Sequence, residues 1–162
     1  MKIAVFAGTF DPLTKGHEYV IEKASELFDR LIVALCINAE KTPIFSVETR
    51  LEMLNAISQK YQNVEVVYHE GFVVDLMKAK KAKYSVRGVR NNTDYNYENH
   101  MHSINKKLYK DIETIFIPCD ENLKGVSSTV ARKSIEKGVI PHDYLSKTVA
   151  QIIEKDLKDR LK

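Results

Sequence analysis

Three short stretches carry residue types that grip negative charge. The first is Thr14-Lys15-Gly16-His17, preceded by Gly8-Thr9-Phe10-Asp11-Pro12. Asp11-Pro12 reads as a turn, and Thr14 stands where a helix N-cap belongs, its hydroxyl placed to accept the amide of His17. A helix start offers unpaired amides and the positive end of the macrodipole, and Gly16 leaves that backbone open to an approaching anion. His17 projects from the same turn and can donate a hydrogen bond to a phosphate oxygen held there. The second stretch is Arg87-Gly88-Val89-Arg90, two forked guanidinium groups around a glycine. The third, Gly125-Val126-Ser127-Ser128-Thr129, opens a helix with hydroxyls. Each has a plainer reading alone: a strand–turn–helix corner with a satisfied histidine, a surface arginine pair, a serine N-cap. Together they describe phosphate chemistry.

Regular elements must hold these stretches. Apolar, β-branched runs at residues 3–7, 31–37, 64–68, 84–87 and 114–117 read as strands. Between them lie helical patterns. Val20, Ile21, Ala24, Leu27 and Phe28 form one stripe, and Ser46 caps a helix carrying Leu51, Leu54 and Ile57, with Glu48 in its first turn. Residues 72–82 and 94–108 give two more helices, and residues 127–136 a third that stops at Gly138. Val149, Ile152, Ile153, Leu157 and Leu161 mark a C-terminal helix in a segment of about residues 142–162. Strands alternating with helices predict an α/β domain, doubly wound around a five-stranded parallel sheet and spanning residues 1–162. Ligands of such sheets bind outside the carboxyl ends of the strands. The three anion-friendly stretches follow the first, fourth and fifth runs.

Composition narrows the classes. The chain has 162 residues, 44% hydrophobic and 29% charged, which suits one globular domain and argues against disorder. A net charge of +3 is too small to argue for nucleic acid as partner. The run Lys78, Lys80, Lys81 and Lys83 lacks interleaved aromatic residues and reads as a solvated helix end. Cys36 and Cys119 stand far apart in no CxxC pattern, so reduced thiols are expected rather than a disulfide or metal site. The short apolar segment at the N-terminus is no signal peptide, and no run reaches membrane-spanning length, so the expected address is the cytoplasm. His100 and His102 are two apart, do not share a helix face, and make no metal pair.

With their spacing, these residues resemble a known family. Gly8-Thr9-Phe10-Asp11-Pro12 with Thr14-x-Gly16-His17, Lys41 in Lys41-Thr42-Pro43, Arg87-Gly88-Val89-Arg90 and Val126-Ser127-Ser128-Thr129 are similar to the motifs of bacterial phosphopantetheine adenylyltransferases over about residues 2–131. The departures are Phe6-Ala7 before Gly8, Val126-Ser127-Ser128-Thr129 with valine for isoleucine, and a Leu123-Lys124-Gly125 segment without an aromatic residue. The resemblance implies a Rossmann-like nucleotidyltransferase fold. It also implies reversible adenylyl transfer from ATP to 4′-phosphopantetheine, giving dephospho-coenzyme A and pyrophosphate. Magnesium as cofactor, a homohexamer and feedback inhibition by coenzyme A come with it. Carried over by residue, Thr9 contacts both substrates, Phe10 neighbours ATP, and His17 binds ATP and stabilises the transition state. Lys41 and Arg87 meet the pantetheine phosphate, and Val73 lies on that side by its count from Arg87. Gly88, Val89 and Arg90 contact ATP, and Glu98 is a carboxylate near the nucleotide. Leu123, Lys124, Gly125, Val126, Ser127, Ser128 and Thr129 form the second nucleotide loop.

A phosphate monoester with a second pKa of about 6 is largely dianionic at neutral pH and is its own nucleophile. No general base is needed, so Asp11 reads as a turn residue. The same motifs would also serve a nicotinamide mononucleotide adenylyltransferase, a cytidylyltransferase, or a nucleotide-binding regulator without activity. Lys41, Arg87 and the spacing to Ser127 favour the pantetheine substrate. The charge state of His17 stays open, because the helix N-terminus disfavours its cation and bound phosphate favours it.

Overall fold

A computed structural model describes residues 1–37 and 39–162. The elements run β1 (Ile3–Gly8), α1 (Lys15–Leu27), β2 (Arg30–Cys36), α2 (Val47–Ser58), β3 (Val64–His69), α3 (Val73–Ala79), β4 (Tyr84–Val89), α4 (Asn92–Leu108), β5 (Glu113–Pro118), α5 (Ser128–Glu136) and α6 (Lys147–Arg160), with a 3₁₀ turn at Glu121–Leu123. The five strands form one parallel sheet in the order β3-β2-β1-β4-β5.

Helices cover both faces, which is why the strands read as continuous apolar runs rather than alternating ones. On one face, Ala4, Phe6, Leu31, Val33 and Leu35 pack against Val20, Ile21 and Ala24 of α1, Met53 and Leu54 of α2, and Val149 and Ile153 of α6. On the other, Val5, Ala7, Ile32 and Ala34 meet Leu76 and Met77 of α3. The strand order turns about β1, with β2 on one side and β4 on the other, and the crevice at such a reversal is where doubly wound sheets bind ligands.

Local differences from the sequence expectations have local causes. The third helix ends at Ala79, not at residue 82, because Lys81 turns left-handed at φ 54°. The Lys81 amide then bonds the Lys78 carbonyl (3.1 Å) and the Ala82 amide the Met77 carbonyl (2.8 Å), a Schellman closure. Phe72 is its N-cap rather than its first residue. The fourth helix starts at Asn92 because the Asn91 side chain accepts from the Asp94 amide (2.9 Å). Ser127 caps α5 through the Val130 amide (3.1 Å) and lies outside the helix.

Gly88 is fixed by packing. A Cβ there would stand 2.8 Å from Cγ2 of Val20, so α1 seats on β4 only over a glycine. We expect Gly88→Ala to lower stability by about 1–3 kcal/mol, the usual result of overpacking. Adding Val20→Ala should recover most of it in a denaturant titration. Single and double variants that melt alike would show that the contact is not what demands glycine.

Candidate active site

A cavity of about 500 Å³ opens at the carboxyl ends of β1 and β4. Thr9, Phe10 and His17 line it from the β1–α1 corner, and Arg87, Gly88, Val89 and Arg90 line it from β4. Lys41 and Val73 close one side and Glu98 the adjacent wall, while Leu123, Val126, Ser127, Ser128 and Thr129 close the other. The fold thus brings together all but two of the residues singled out in the sequence. Lys124 pairs at the surface with Glu121 (2.6 Å), and a Cβ on Gly125 would meet nothing within 4 Å; neither lines the cavity.

His17 is set by α1 itself. Its Nδ1 accepts the Thr14 amide (3.0 Å) and faces the Thr14 hydroxyl (3.2 Å) in a capping box, so the helix start and the histidine orient each other. An Nδ1 that accepts leaves the ring proton on Nε2. Burial, with the positive charges of Arg87 and Arg90 facing it, pushes the imidazole from 6.5 down to about 4. In the free protein His17 is therefore a neutral Nε2–H donor at neutral pH. The Phe10 ring packs edge-on against it, with centroids 5.0 Å apart, and against Phe6 at 5.4 Å. Phe10 reaches that place with a left-handed backbone, φ 44°, uncommon outside glycine and asparagine.

The depressed pKa has a sign that can be checked. The folded chain binds fewer protons at His17 than the unfolded chain between pH 6.5 and 4, so this residue stabilises the fold above 6.5 and loses that contribution as pH falls toward 4. An NMR titration of the imidazole should show its midpoint near 4. A midpoint at 6.5 would mean that the ring is solvated and takes its proton freely.

The loops are stitched together by groups that sequence spacing does not reveal. The Ser128 hydroxyl donates to the Pro12 carbonyl (2.9 Å), and Arg132 donates to the Asp11 carbonyl (2.7 Å) and the Thr129 hydroxyl (3.2 Å). Arg50, 3% exposed, donates to the carbonyls of Thr9 (3.0 Å) and Ser46 (3.3 Å). The buried Asp11 carboxylate accepts the amides of Ile44 and Phe45, both at 3.0 Å. Asp11 thus anchors the chain entering α2 as well as making the turn.

Both arginines of the β4 end carry carboxylate partners on α4. Glu98 grips Arg87 through Nε (2.8 Å) and Nη2 (2.6 Å), and Nη1 of Arg87 donates to the Ala7 carbonyl (2.7 Å). Asp94, which the sequence reading passed over, accepts from Nε of Arg90 (2.9 Å) and lines the cavity. Its spacing of four residues before Glu98 on a helix was the available signal. A second cavity, of about 860 Å³, shares Arg87, Glu98, Val73 and Cys36 with the first. It continues between α3 and α4 past Phe72, Val74, Met101 and Asn105.

The Cys36 thiol, beside both cavities, is pushed up to about 11 by burial and stays protonated. Among the described residues no group of three His, Cys, Asp or Glu could hold a metal ion, and His102 instead bonds the Thr114 hydroxyl (2.9 Å). Among the described residues no helix is long and apolar enough to cross a membrane.

A Rossmann-like sheet with a helix-start histidine and paired arginines at its reversal point defines a nucleotidyltransferase. Comparison with known proteins agrees. The profile of the family described as cytidylyltransferase-like matches residues 5–134. A phosphopantetheine adenylyltransferase of Clostridium botulinum is 38% identical over 160 residues, 99% of this chain and 98% of its own length. That of Paraburkholderia phymatum is 37% identical over 161 residues, 99% of this chain and 94% of its own. The solved structure of a Plasmodium falciparum nicotinic acid mononucleotide adenylyltransferase superposes with a TM-score of 0.69 at 20% identity, covering 98% of this chain and 97% of that one; it shares the fold. The chain belongs to the phosphopantetheine adenylyltransferase family of cytidylyltransferase-like enzymes.

Proposed function

We propose that the chain transfers the adenylyl group of ATP to 4′-phosphopantetheine, releasing pyrophosphate and giving dephospho-coenzyme A. The observation that carries this reading is the second cavity. It begins at Arg87, where the acceptor phosphate would sit, and runs on past Phe72, Val74 and Met101, with polar groups along it that include the Asn105 amide, His102, Glu40 and Glu70. A pantetheine arm, with its geminal methyl groups and two amides, suits such a groove.

In this reading an oxygen of the phosphopantetheine phosphate attacks the α-phosphorus of ATP in line, and the bond from that phosphorus to the bridging oxygen of pyrophosphate breaks. No proton must be removed from the nucleophile. Catalysis is positioning and charge stabilisation. Lys41 and Arg87 hold the attacking phosphate, with Val73 against the arm. Thr9 lies between the two substrates. His17 donates Nε2–H to the α-phosphate as charge gathers there. Arg90 and the Ser127–Ser128–Thr129 turn take the β- and γ-phosphates, and Phe10, Gly88, Val89, Leu123 and Val126 shape the nucleotide side.

Magnesium fits as an ion carried on ATP rather than in a protein cage, since Asp94 and Glu98 are both engaged by arginines. Bound there, it neutralises phosphate charge. The resemblance further supports one catalytic domain over residues 1–162, a cytoplasmic address, a homohexamer, and coenzyme A as feedback inhibitor. In favour of self-association, α4 buries none of its seventeen residues and exposes Tyr95, Tyr97, Ile104 and Leu108.

The test mixes purified protein with ATP, magnesium and 4′-phosphopantetheine and follows dephospho-coenzyme A by chromatography, with nicotinamide mononucleotide in parallel. Product from phosphopantetheine alone is expected. Product from nicotinamide mononucleotide alone would keep the chemistry and overturn the acceptor. ATP binding without product from either would make the protein a nucleotide-binding regulator.

A further inference from the structure

Beside Thr9 lies a smaller cavity, of about 240 Å³. Lys41, Thr42, Arg50 of α2 and Arg132 of α5 line it, together with Thr9 and Asp11. Thr9 and Lys41 also line the reaction cavity, so the two spaces adjoin at these residues. Pockets for organic ligands run to about 300–1,000 Å³, so this chamber suits something smaller than a nucleotide.

Its cations differ from those at the end of β4. Arg87 and Arg90 each hold a carboxylate, Glu98 and Asp94. Arg50 and Arg132 hold none among the described residues. Arg50 gives Nη1 to the Thr9 carbonyl (3.0 Å) and Nε to the Ser46 carbonyl (3.3 Å). Arg132 gives Nη1 to the Asp11 carbonyl (2.7 Å) and Nη2 to the Thr129 hydroxyl (3.2 Å). Carbonyls and a hydroxyl orient a guanidinium without cancelling its charge. The acidic residue on the wall, Asp11, has its two carboxylate oxygens taken by the amides of Ile44 and Phe45. Three cations against that one carboxylate leave an excess of positive charge, and a buried charge without a counter-charge is costly. Arg50 is only 3% exposed. Stapling the first loop explains the bonds these arginines make, but not two charges left unmatched around a cavity. Donors also remain. Nη2 of Arg50 and Nε of Arg132 donate to no protein acceptor among the described residues, and both atoms keep access to solvent.

We propose that this chamber binds a phosphate-type anion, held by Arg50, Arg132 and Lys41 while substrates occupy the reaction cavity. A small, doubly charged, tetrahedral anion matches the size of the space, the excess charge and the forked guanidinium donors. Two sources carry that chemistry. One is inorganic phosphate from solution. The other is the pyrophosphate that the proposed reaction releases, since Arg132 holds Thr129 of the turn assigned to the β- and γ-phosphates. This second source rests on the functional reading above.

The test titrates inorganic phosphate by calorimetry into protein saturated with an ATP analogue whose α- and β-phosphorus atoms are joined by a methylene group, so that the places of the nucleotide phosphates are filled. Wild type is compared with Arg132→Gln, Arg132→Lys and Arg50→Gln, each first shown by circular dichroism to be folded. Both glutamine variants should bind phosphate about tenfold more weakly, the loss expected for one charge-assisted bond. Arg132→Lys keeps the charge but not the fork, and should stay within about threefold of wild type. If Arg50→Gln does not fold, the Arg132 pair decides alone. Loaded wild type that binds no phosphate overturns the proposal. So do glutamine variants that bind like wild type, since phosphate would then sit at Arg87. An Arg132→Lys variant as weak as Arg132→Gln overturns it too, because Arg132 would then act only by holding the first loop. Pyrophosphate, titrated in the same way, separates the sources. Binding tighter than that of phosphate, and weakened by the same variants, makes the released product the occupant; equal binding makes it the free ion, and either keeps the chamber. Protein that does not bind the analogue overturns the nucleotide reading instead, and the same variants titrated empty with phosphate still decide the chamber.

Discussion

Replacing His17 with alanine is expected to lower kcat about 10²- to 10³-fold, the range seen when one transition-state donor is removed. The reason lies in the arrangement of charge. Negative charge gathers at the α-phosphorus as pyrophosphate leaves, and Nε2–H of His17 is the donor that the α1 start aims into the cavity. Its Nδ1 is occupied by the Thr14 amide, so the ring cannot turn that proton elsewhere without giving up a hydrogen bond. Because the imidazole is neutral at working pH, its own titration should cost activity only near pH 4, well below the fall around pH 6 that belongs to protonation of the phosphate nucleophile. A neutral donor of similar reach should do part of the same work. His17→Gln is therefore expected to retain more activity than His17→Ala, which it would not if an imidazolium were required. Alanine gives up the bond to the Thr14 amide at the cap of α1, so both variants are first shown to be folded by circular dichroism. Steady-state rates of dephospho-coenzyme A formation decide this, and an alanine variant at full rate would remove His17 from the mechanism.

Arg87→Met is expected to lower kcat/KM for phosphopantetheine about 10²-fold. Loss of a charge-assisted contact to a phosphate costs about 1.5–3 kcal/mol, and about 1.4 kcal/mol is a factor of ten. Two effects must be separated here. Methionine keeps the stem but leaves the Glu98 carboxylate, only 12% exposed, without its partner, and an unpaired half-buried charge destabilises the fold. Adding Glu98→Gln removes that charge. The double variant should regain most of the melting temperature lost by Arg87→Met and little of the lost affinity. Calorimetric melting together with substrate titration reads the two quantities apart. If affinity returned along with stability, Arg87 would be a structural cation and the acceptor phosphate would be held elsewhere.

The elements were legible because their signals are local. The apolar runs of the strands, the stripe Val20–Ile21–Ala24 and the Ser46 cap each depend on residues within a turn or two, and all five strands and six helices appear where those signals lie. The α3 boundary slipped because its deciding group has no distinctive type. Lys81 closes α3 in a conformation that usually belongs to glycine, and nothing in a lysine announces it. The anion-friendly loops were legible as well, since glycine, serine, threonine and arginine at strand ends are unusual by composition alone. What each loop residue does there was less so. Ser128 reads as a phosphate ligand, yet its hydroxyl proton is committed to Pro12, which lies more than a hundred positions away.

By itself, then, the sequence determined the strands and helices, the doubly wound class, the family through its motifs and nearly every residue of the cavity, because periodicity and residue type encode them within short windows; the strand order and its reversal at β1 came from the tertiary structure. Tertiary structure alone decided which charges meet. Arg87 pairs with Glu98 and with a carbonyl eighty positions earlier, Arg90 with Asp94 and the third loop, and Arg50 and Arg132 staple the first loop from α2 and α5. It also decided that His17 is neutral, since a pKa depends on burial and on charges brought near by folding, and neither is a property of neighbours in the chain.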